Sequence, residues 1–352
     1  MQTNAASEIL RVLRRNLETD PKFLICGLGV ADPKGVFGTT LGLVDTFGPK
    51  RVLETPTSEN AMTGVGVGLA ISGFRPLMIH QRLDFFILAM DQLVNSAAKW
   101  HYMFGGQSSV PMTIRLITGR GWGQGPTHSQ NLHAWFAHIP GLKVVMPSFA
   151  GEIAGLLQAS INDPNPVIFI EDRWIHNQVV DLDDPRRNQP IEIGKAKVCH
   201  SGDQITVVSS GYMSIEALKA VAYLGQHGIS AELIDLRTIK PLDMESILAS
   251  LRKTKNLVVI DSANQIASFG KEIIANSLMA QGIQLTNRPR LVSLPDVPEP
   301  TSHGVIGEYR VSALKIAEGI LDTLSIKAPA AMIESLTPAK EDVPDSSFTG
   351  PF

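Results

Sequence analysis

The chain has 352 residues, enough for two domains of ordinary size, and 31 Lys and Arg against 34 Asp and Glu leave a formal charge of -3. That balance excludes a global electrostatic pull toward nucleic acid or an anionic membrane, so any partner is recognised locally. Charged residues are only 18% of the chain and apolar ones 44%, which points to surface covered by a partner chain, while the two cysteines, Cys26 and Cys199, exclude a disulfide framework or a cysteine zinc site and fit a reducing, cytoplasmic compartment.

Over residues 1–23, Ile9, Leu10, Leu13 and Leu17 recur at helical spacing among Arg11, Arg14 and Arg15, which predicts an ordinary surface helix and no cleaved leader. The most apolar stretch, 62–74, is interrupted by Gly64, Gly66, Gly68 and Gly73 and is too short to cross a bilayer. Short β-branched runs at 110–118, 142–146 and 166–170 predict buried strands, with helices at 61–72, 86–102, 132–138 and 151–162. Such alternation implies a parallel sheet covered on both faces. After a polar run at 181–190 the pattern repeats, with strands at 205–209, 231–236, 257–260 and 290–294 and helices at 214–224, 244–251, 271–280 and 311–324. The expectation is an α/β chain of two doubly wound, mainly parallel-sheet domains, 1–180 and 201–325, joined by a linker over 181–200 and followed by a flexible tail over 326–352.

Three constellations bear chemistry. In the first, Pro56 stops what precedes it, Thr57 or Ser58 can cap a helix, and Glu59 falls in its first turn. A capping role alone would explain that glutamate, but Gly64 and Gly68 share one face and let a flat ligand or another backbone come close. The second is the loop 119–130, whose four glycines can wrap a ligand yet lack the lysine of a phosphate-binding loop and the spacing of a dinucleotide fingerprint. His128, His133 and His138 follow at intervals of five, about 140° apart on a helix, which argues against a shared metal; His128, just ahead of the helix, is the one placed like an active-site imidazole. In the third, Phe85 and Phe86 open an apolar helix and on pattern alone belong to the core. With no nucleophile elbow, HExxH or CxxC, motifs alone give an α/β enzyme subunit and go no further.

Longer blocks go further. Arg51-Val52-Leu53-Glu54-Thr55-Pro56-Thr57-Ser58-Glu59-Asn60, Leu88-Ala89-Met90-Asp91-Gln92 with Ala97-Ala98-Lys99-Trp100, His128-Ser129-Gln130, the run 140–148 and the run 234–243 occur in order. Through them the chain resembles, over about 23–324, the beta subunits of the thiamine-diphosphate-dependent first component of 2-oxoacid dehydrogenase complexes, within the transketolase-like group. The resemblance implies decarboxylation of a 2-oxoacid and transfer of the acyl group to a lipoyl carrier, in an active site shared with an alpha subunit in an assembly of two alpha and two beta chains, which can dock on a lipoyl acyltransferase core. It makes Glu59 the partner of the cofactor's pyrimidine ring nitrogen, Phe85 the ring stacked on that pyrimidine, Leu28 a further cofactor contact and His128 a catalytic group beside the reacting carbon. It also implies potassium held by the main-chain oxygens of Met112, Ser160, Asp163 and Asn165. The Gly-Asp-Gly motif of the diphosphate site is missing, so Mg²⁺ and the diphosphate contacts are expected from the alpha subunit.

The chain departs from the family in three places. Gly27-Leu28-Gly29-Val30 stands for the usual Gly-Glu-Asp-Val, His80-Gln81-Arg82-Leu83-Asp84 replaces a mostly apolar run, and Asp261-Ser262-Ala263-Asn264 stands where paired glutamates are common. These departures keep a second reading open: a split transketolase-like or carboligase subunit acting on a sugar or sugar phosphate, with His80, Arg82 and Arg120 as the cations a phosphate wants. Intact Glu59 and His128 argue against a catalytically silent scaffold.

Overall fold

Apolar runs ended by Gly, Pro or a cap become the strands of two mainly parallel sheets, and the amphipathic runs between them cover the faces. The computed structural model describes residues 2–121, 123–183, 189–338 and 342–343. In chain order the first half holds β1 (Gln2–Asn4), α1 (Ala5–Thr19), β2 (Phe23–Gly27), α2 (Leu43–Phe47), β3 (Val52–Glu54), α3 (Glu59–Ile71) and β4 (Arg75–His80). It continues through α4 (Leu83–Phe86), α5 (Ala98–Met103), β5 (Thr113–Thr118), α6 (His133–His138), β6 (Lys143–Val145), α7 (Ala150–Asn162), β7 (Val167–Asp172) and β8 (Val179–Asp181). The predicted helix 86–102 is thus an irregular run, with a 3₁₀ turn at Ile87–Ala89 and a π-turn at Gln92–Ala97 between α4 and α5.

The second half holds β9 (Lys197–His200), β10 (Ile205–Ser209), α8 (Tyr212–Gly225), β11 (Ala231–Asp235), β12 (Thr238–Lys240), α9 (Met244–Thr254) and β13 (Leu257–Asn264). After it come α10 (Phe269–Met279), β14 (Arg290–Leu294), α11 (His303–Tyr309), α12 (Ala313–Leu324) and α13 (Met332–Leu336). One sheet runs β12-β6-β7-β5-β4-β2-β3 and the other β14-β13-β10-β11-β9; only the edge strands β12 and β9 are antiparallel. A short antiparallel pair, β1 with β8, pins the start of the chain.

Two features tie the halves together. Strand β12 comes from the second half yet pairs with β6 of the first, Thr238 opposite Val145. Each apolar core also draws on both halves: Ile9, Leu157 and Phe169 join Val221 and Ile316 on one side, and Met78, Phe86 and Ile168 join Val208 and Leu257 on the other.

Two expectations need correction. The linker over 181–200 ends in β9, an edge strand too short and too polar to show a period; residues 184–188 lie outside the described residues. The tail over 326–352 is not wholly flexible, because α13 packs on α12 through Met332, 2% exposed, and Asp342 is buried; residues 339–341 and 344–352 lie outside the described residues.

Candidate active site

The carboxyl ends of β2, β3, β4, β5 and β7 open on one edge of the larger sheet, where parallel α/β sheets place ligands. Leu28 follows β2, and its turn is held by two side chains through three hydrogen bonds. The Glu54 carboxylate accepts from Gly29 and Ala31 nitrogens at 2.6 and 2.9 Å, and Gln81 Nε2 donates to the Leu28 oxygen at 3.1 Å. Leu28 is left half-exposed, as an apolar wall.

Glu59 is the first residue of α3, where the helix dipole favours a carboxylate. The residue ahead of it, Ser58, makes no capping hydrogen bond with its side chain, and the Glu59 carboxylate has no hydrogen-bond partner among the described residues. It lines a narrow crevice with Leu28, Thr55, Met62, Met78 and Phe85. The glycine face differs from the expectation. Gly64 looks at the Gln92 side chain and Gly68 at open space, whereas Gly66 is the position where a Cβ would meet Met78 Sδ at 2.6 Å, so it is Gly66 that lets α3 lie against β4.

The two phenylalanines part company. Phe86 is fully buried, whereas Phe85 turns out and is 38% exposed. The Phe85 ring meets His128 edge-on, with centroids 5.4 Å apart at 87°, and the His128 Nδ1 lies 3.0 Å from the Thr127 hydroxyl. Phe85 is therefore a shared wall. On one side is the crevice with Glu59 and Leu28; on the other is a cleft of about 680 Å³ with His128, Phe37, Lys34, Arg82 and Arg173.

The three cations singled out in the sequence separate. Arg82 lines the cleft, donating Nη2 to Gln124 Oε1 at 2.6 Å. His80 lies under Phe86, where burial pushes its pKa down to about 4 and keeps it neutral. Arg120 is drawn away to Asp342, at 3.7 Å, and to the Trp174 ring. Sequence reasoning missed Lys34 and Arg173; the signal for Arg173 is its position one residue past the carboxyl end of β7. Asp84 was noted only as a departure, yet its carboxylate accepts from Gln130, which joins the Phe85 turn to the His128 loop.

The residues expected to hold potassium do gather at one corner, between the start of β5, the end of α7 and the loop after it. There the Ser160 oxygen accepts from the Thr113 hydroxyl and the Asp163 nitrogen, and the Met112 oxygen from the Val167 nitrogen. Lys143 pairs with Asp163, while the Asn165 side-chain oxygen is buried without a partner among the described residues. No cluster of three or more His, Cys, Asp or Glu suited to a metal occurs among the described residues. No helix among them is long and apolar enough to cross a membrane.

The chain is similar to known proteins over most of its length. The transketolase pyrimidine-binding domain family matches residues 2–176 and the transketolase C-terminal domain family residues 194–316. A pyruvate dehydrogenase E1 component subunit beta from Rickettsia conorii is 36% identical over 337 residues, covering 96% of this chain and 98% of that protein. The subunit of the same name from Rhizobium meliloti is 40% identical over 303 residues, and the match spans 85% of this chain and 65% of that longer protein. The mitochondrial subunit beta-2 of Oryza sativa subsp. japonica is 38% identical over 291 residues, 82% of this chain and 77% of that protein. Among solved structures, a split gene transketolase in an inactive beta4 tetramer superposes with a TM-score of 0.74 at 19% identity, over 92% of this chain and 99% of that one, a likeness of fold.

Proposed function

The chain belongs to the pyruvate dehydrogenase E1 component beta-subunit family, and from that membership and the site's geometry we propose that it is the pyrimidine-binding half of an enzyme decarboxylating a 2-oxoacid and passing the acyl group to a lipoyl carrier. Thiamine diphosphate, when bound, supplies a carbanion that adds to the oxo group and accepts the electrons released with carbon dioxide. What supports its place here is the Glu59 carboxylate, which stands without a hydrogen-bond partner in a crevice walled by Leu28 and Phe85. There Glu59 holds a proton at the pyrimidine ring nitrogen, Phe85 offers a ring face, and Leu28 excludes water. His128, across Phe85, exchanges a proton with the substrate oxygen as the acyl group leaves.

The partner is an alpha subunit that brings Mg²⁺ and the diphosphate contacts, in an assembly of two alpha and two beta chains able to dock on a lipoyl acyltransferase core. The exposed rings and apolar side chains at Leu28, Phe85 and Leu88 suit burial by such a partner. For potassium the corner at Met112, Ser160, Asp163 and Asn165 fits in part. The Met112 main-chain oxygen accepts once, which leaves a lone pair, and the Asn165 side-chain oxygen has no partner among the described residues, whereas both lone pairs of the Ser160 oxygen are already engaged. The two free thiols suit a cytoplasmic location.

The test is Glu59→Gln in the complex reconstituted with its alpha subunit. Turnover of 2-oxoacids should fall at least about 100-fold, the scale of a general acid or base, while the heterotetramer still elutes as one species. Undiminished turnover in that variant would overturn the assignment.

A further inference from the structure

The cleft beyond Phe85 and His128 carries more positive charge than the reaction above uses. Lys34, Arg82 and Arg173 line it, against the single carboxylate of Asp32. The guanidinium carbons of Arg82 and Arg173 lie 5.6 and 4.9 Å from the centroid of the same Phe37 ring. Both side chains are deeply buried, with relative exposures of 5% and 7%. Two like charges held over one ring repel each other. Burial first, and then Arg82, pull the Arg173 pKa down to about 10, and burial also lowers that of Arg82.

The nearby carboxylates offset this charge only in part. Asp84 and Asp172 favour the Arg82 cation, and Asp172 and Glu171 the Arg173 cation, yet burial outweighs them at both, and Glu171 is itself paired with Arg115 and His176. Arg82 spends Nη2 on Gln124, and its Nη1 is buried with no hydrogen-bond partner among the described residues. A buried guanidinium nitrogen lacking an acceptor, next to a second guanidinium and opening on a cleft, is the arrangement an incoming oxyanion completes through charge-assisted, forked hydrogen bonds.

We propose that Arg82 and Arg173, stacked on Phe37, form an anion subsite that receives a second anionic group, a phosphate or a carboxylate, at the end of the substrate remote from the carbon handled beside His128. The inference rests on the proposed function for the location of the reacting end only. The enzyme would then prefer a substrate with two anionic ends, a dicarboxylic 2-oxoacid or a sugar phosphate, over one with an apolar tail. The two sources share the oxyanion and differ in shape and charge.

Two arms test it. In the first, inorganic phosphate is titrated against the reconstituted complex saturated with Mg²⁺ and thiamine diphosphate. Millimolar binding, weakened at least tenfold in Arg82→Met and in Arg173→Met and partly restored in Arg82→Lys, is expected. Binding that vanishes when the cofactor is present assigns these cations to the diphosphate, and binding equal in all variants makes the phosphate adventitious; either result overturns the subsite.

In the second arm, pyruvate, 2-oxoglutarate and xylulose 5-phosphate are compared as donors. The ratio of kcat/KM for the better doubly anionic donor to that for pyruvate should exceed ten and fall at least tenfold in each Met variant, and which of the two donors responds identifies the source. A ratio below one, or one that the variants do not move, refutes the proposal. Arginine-dependent phosphate binding in a complex that turns over no donor would instead refute the proposed function and leave the subsite standing.

Discussion

Asp84 Oδ1 accepts hydrogen bonds from both the main-chain nitrogen and the side-chain amide of Gln130, at 3.2 and 2.9 Å. Asp84 immediately precedes Phe85, and Gln130 comes two residues after His128, so one carboxylate oxygen sets the distance between the two aromatic walls of the site. Asp84→Ala should lower kcat/KM of the reconstituted complex by about 10- to 100-fold, the scale of a misplaced catalytic group, chiefly through kcat. It should also cost about 1 kcal/mol of stability, because the part-buried donors of Gln130 lose their acceptor. Asp84→Asn keeps an acceptor oxygen and should recover most of the loss. Steady-state kinetics beside urea titration checks this, and a loss of stability with kcat unchanged would show that Asp84 only packs.

A second contact fastens the halves of the chain. His133 Nε2 on α6 lies 3.0 Å from Asp261 Oδ1 on β13, both side chains almost wholly buried. Burial opposes the Asp261 charge, yet His133 and the Ala263 and Gly270 amides at 2.9 and 2.8 Å hold its carboxyl below the usual range. Asp261→Ala strands all three donors and should cost about 3 kcal/mol or more. Because the contact joins a helix of the first half to a strand of the second, tryptophan fluorescence and far-UV circular dichroism should then report separate unfolding midpoints in urea, whereas a coincident, unshifted transition would show that the bridge carries no stability.

The sequence rendered some of this directly and hid the rest for physical reasons. Runs such as 113–118 and 257–260 are apolar and β-branched, so they read as strands. Strand β4 went unread because Pro76 looks like a stop, although it sits beside Leu24 in a central pair, and β12 because three residues show no period. Helical spacing put Gly64 and Gly68 on one face of α3, but periodicity does not say what a face meets, and close packing falls instead to Gly66. Position in the sequence picks out Glu59 and His128, and resemblance alone picks out Phe85; their meeting around one aromatic wall is a tertiary fact. Arg82, Arg173 and Phe37 lie on three separate segments, so no local pattern announces that they share a ring face.

The buried carboxyl of Asp235 gives a pH signature. Burial, helped by the Glu152 charge, raises its pKa to about 7, even though the Ser148 and Ser214 hydroxyls at 2.6 and 3.0 Å and the Arg237 amide all favour the ion by donating to Oδ1; Oδ2 is buried without a partner among the described residues. A raised folded-state value means the folded protein binds the proton more tightly than the unfolded chain, near 3.8. Its stabilisation is therefore complete below about pH 4 and is lost as the pH rises through about 7. Asp235→Asn removes the titration, so the variant should gain on the wild type by an amount of order a few kcal/mol between pH 5 and pH 8. Denaturant midpoints of both proteins at pH 5, 6.5 and 8 measure the difference. A gap that stays constant across that range would place the Asp235 titration elsewhere.

Gly141 shows how closely the frame of the site is built. It lies between α6 and β6 with φ at +97°, where a side chain is strained, and a Cβ there would come within 1.9 Å of the Ala98 oxygen at the start of α5. That obstacle is backbone and cannot swing aside, and Lys99 Nζ, bonded to the Pro140 oxygen at 3.0 Å, fixes the approach from the other side. Gly141→Ala should therefore cost about 3 kcal/mol or more, the sum of an unfavourable φ and overpacking. The displaced α5 continues the irregular helical run that begins at Leu83 and contains Phe85, so the surviving folded fraction should also lose activity. Gly68→Ala is the matched control. Its Cβ has nothing within 4 Å, and helix propensity alone should stabilise the isolated chain by about 0.5–1 kcal/mol. Urea midpoints of the two variants should move in opposite directions; a Gly141→Ala protein as stable as the wild type would mean that α5 and the 140–142 turn do not approach as closely as this packing requires.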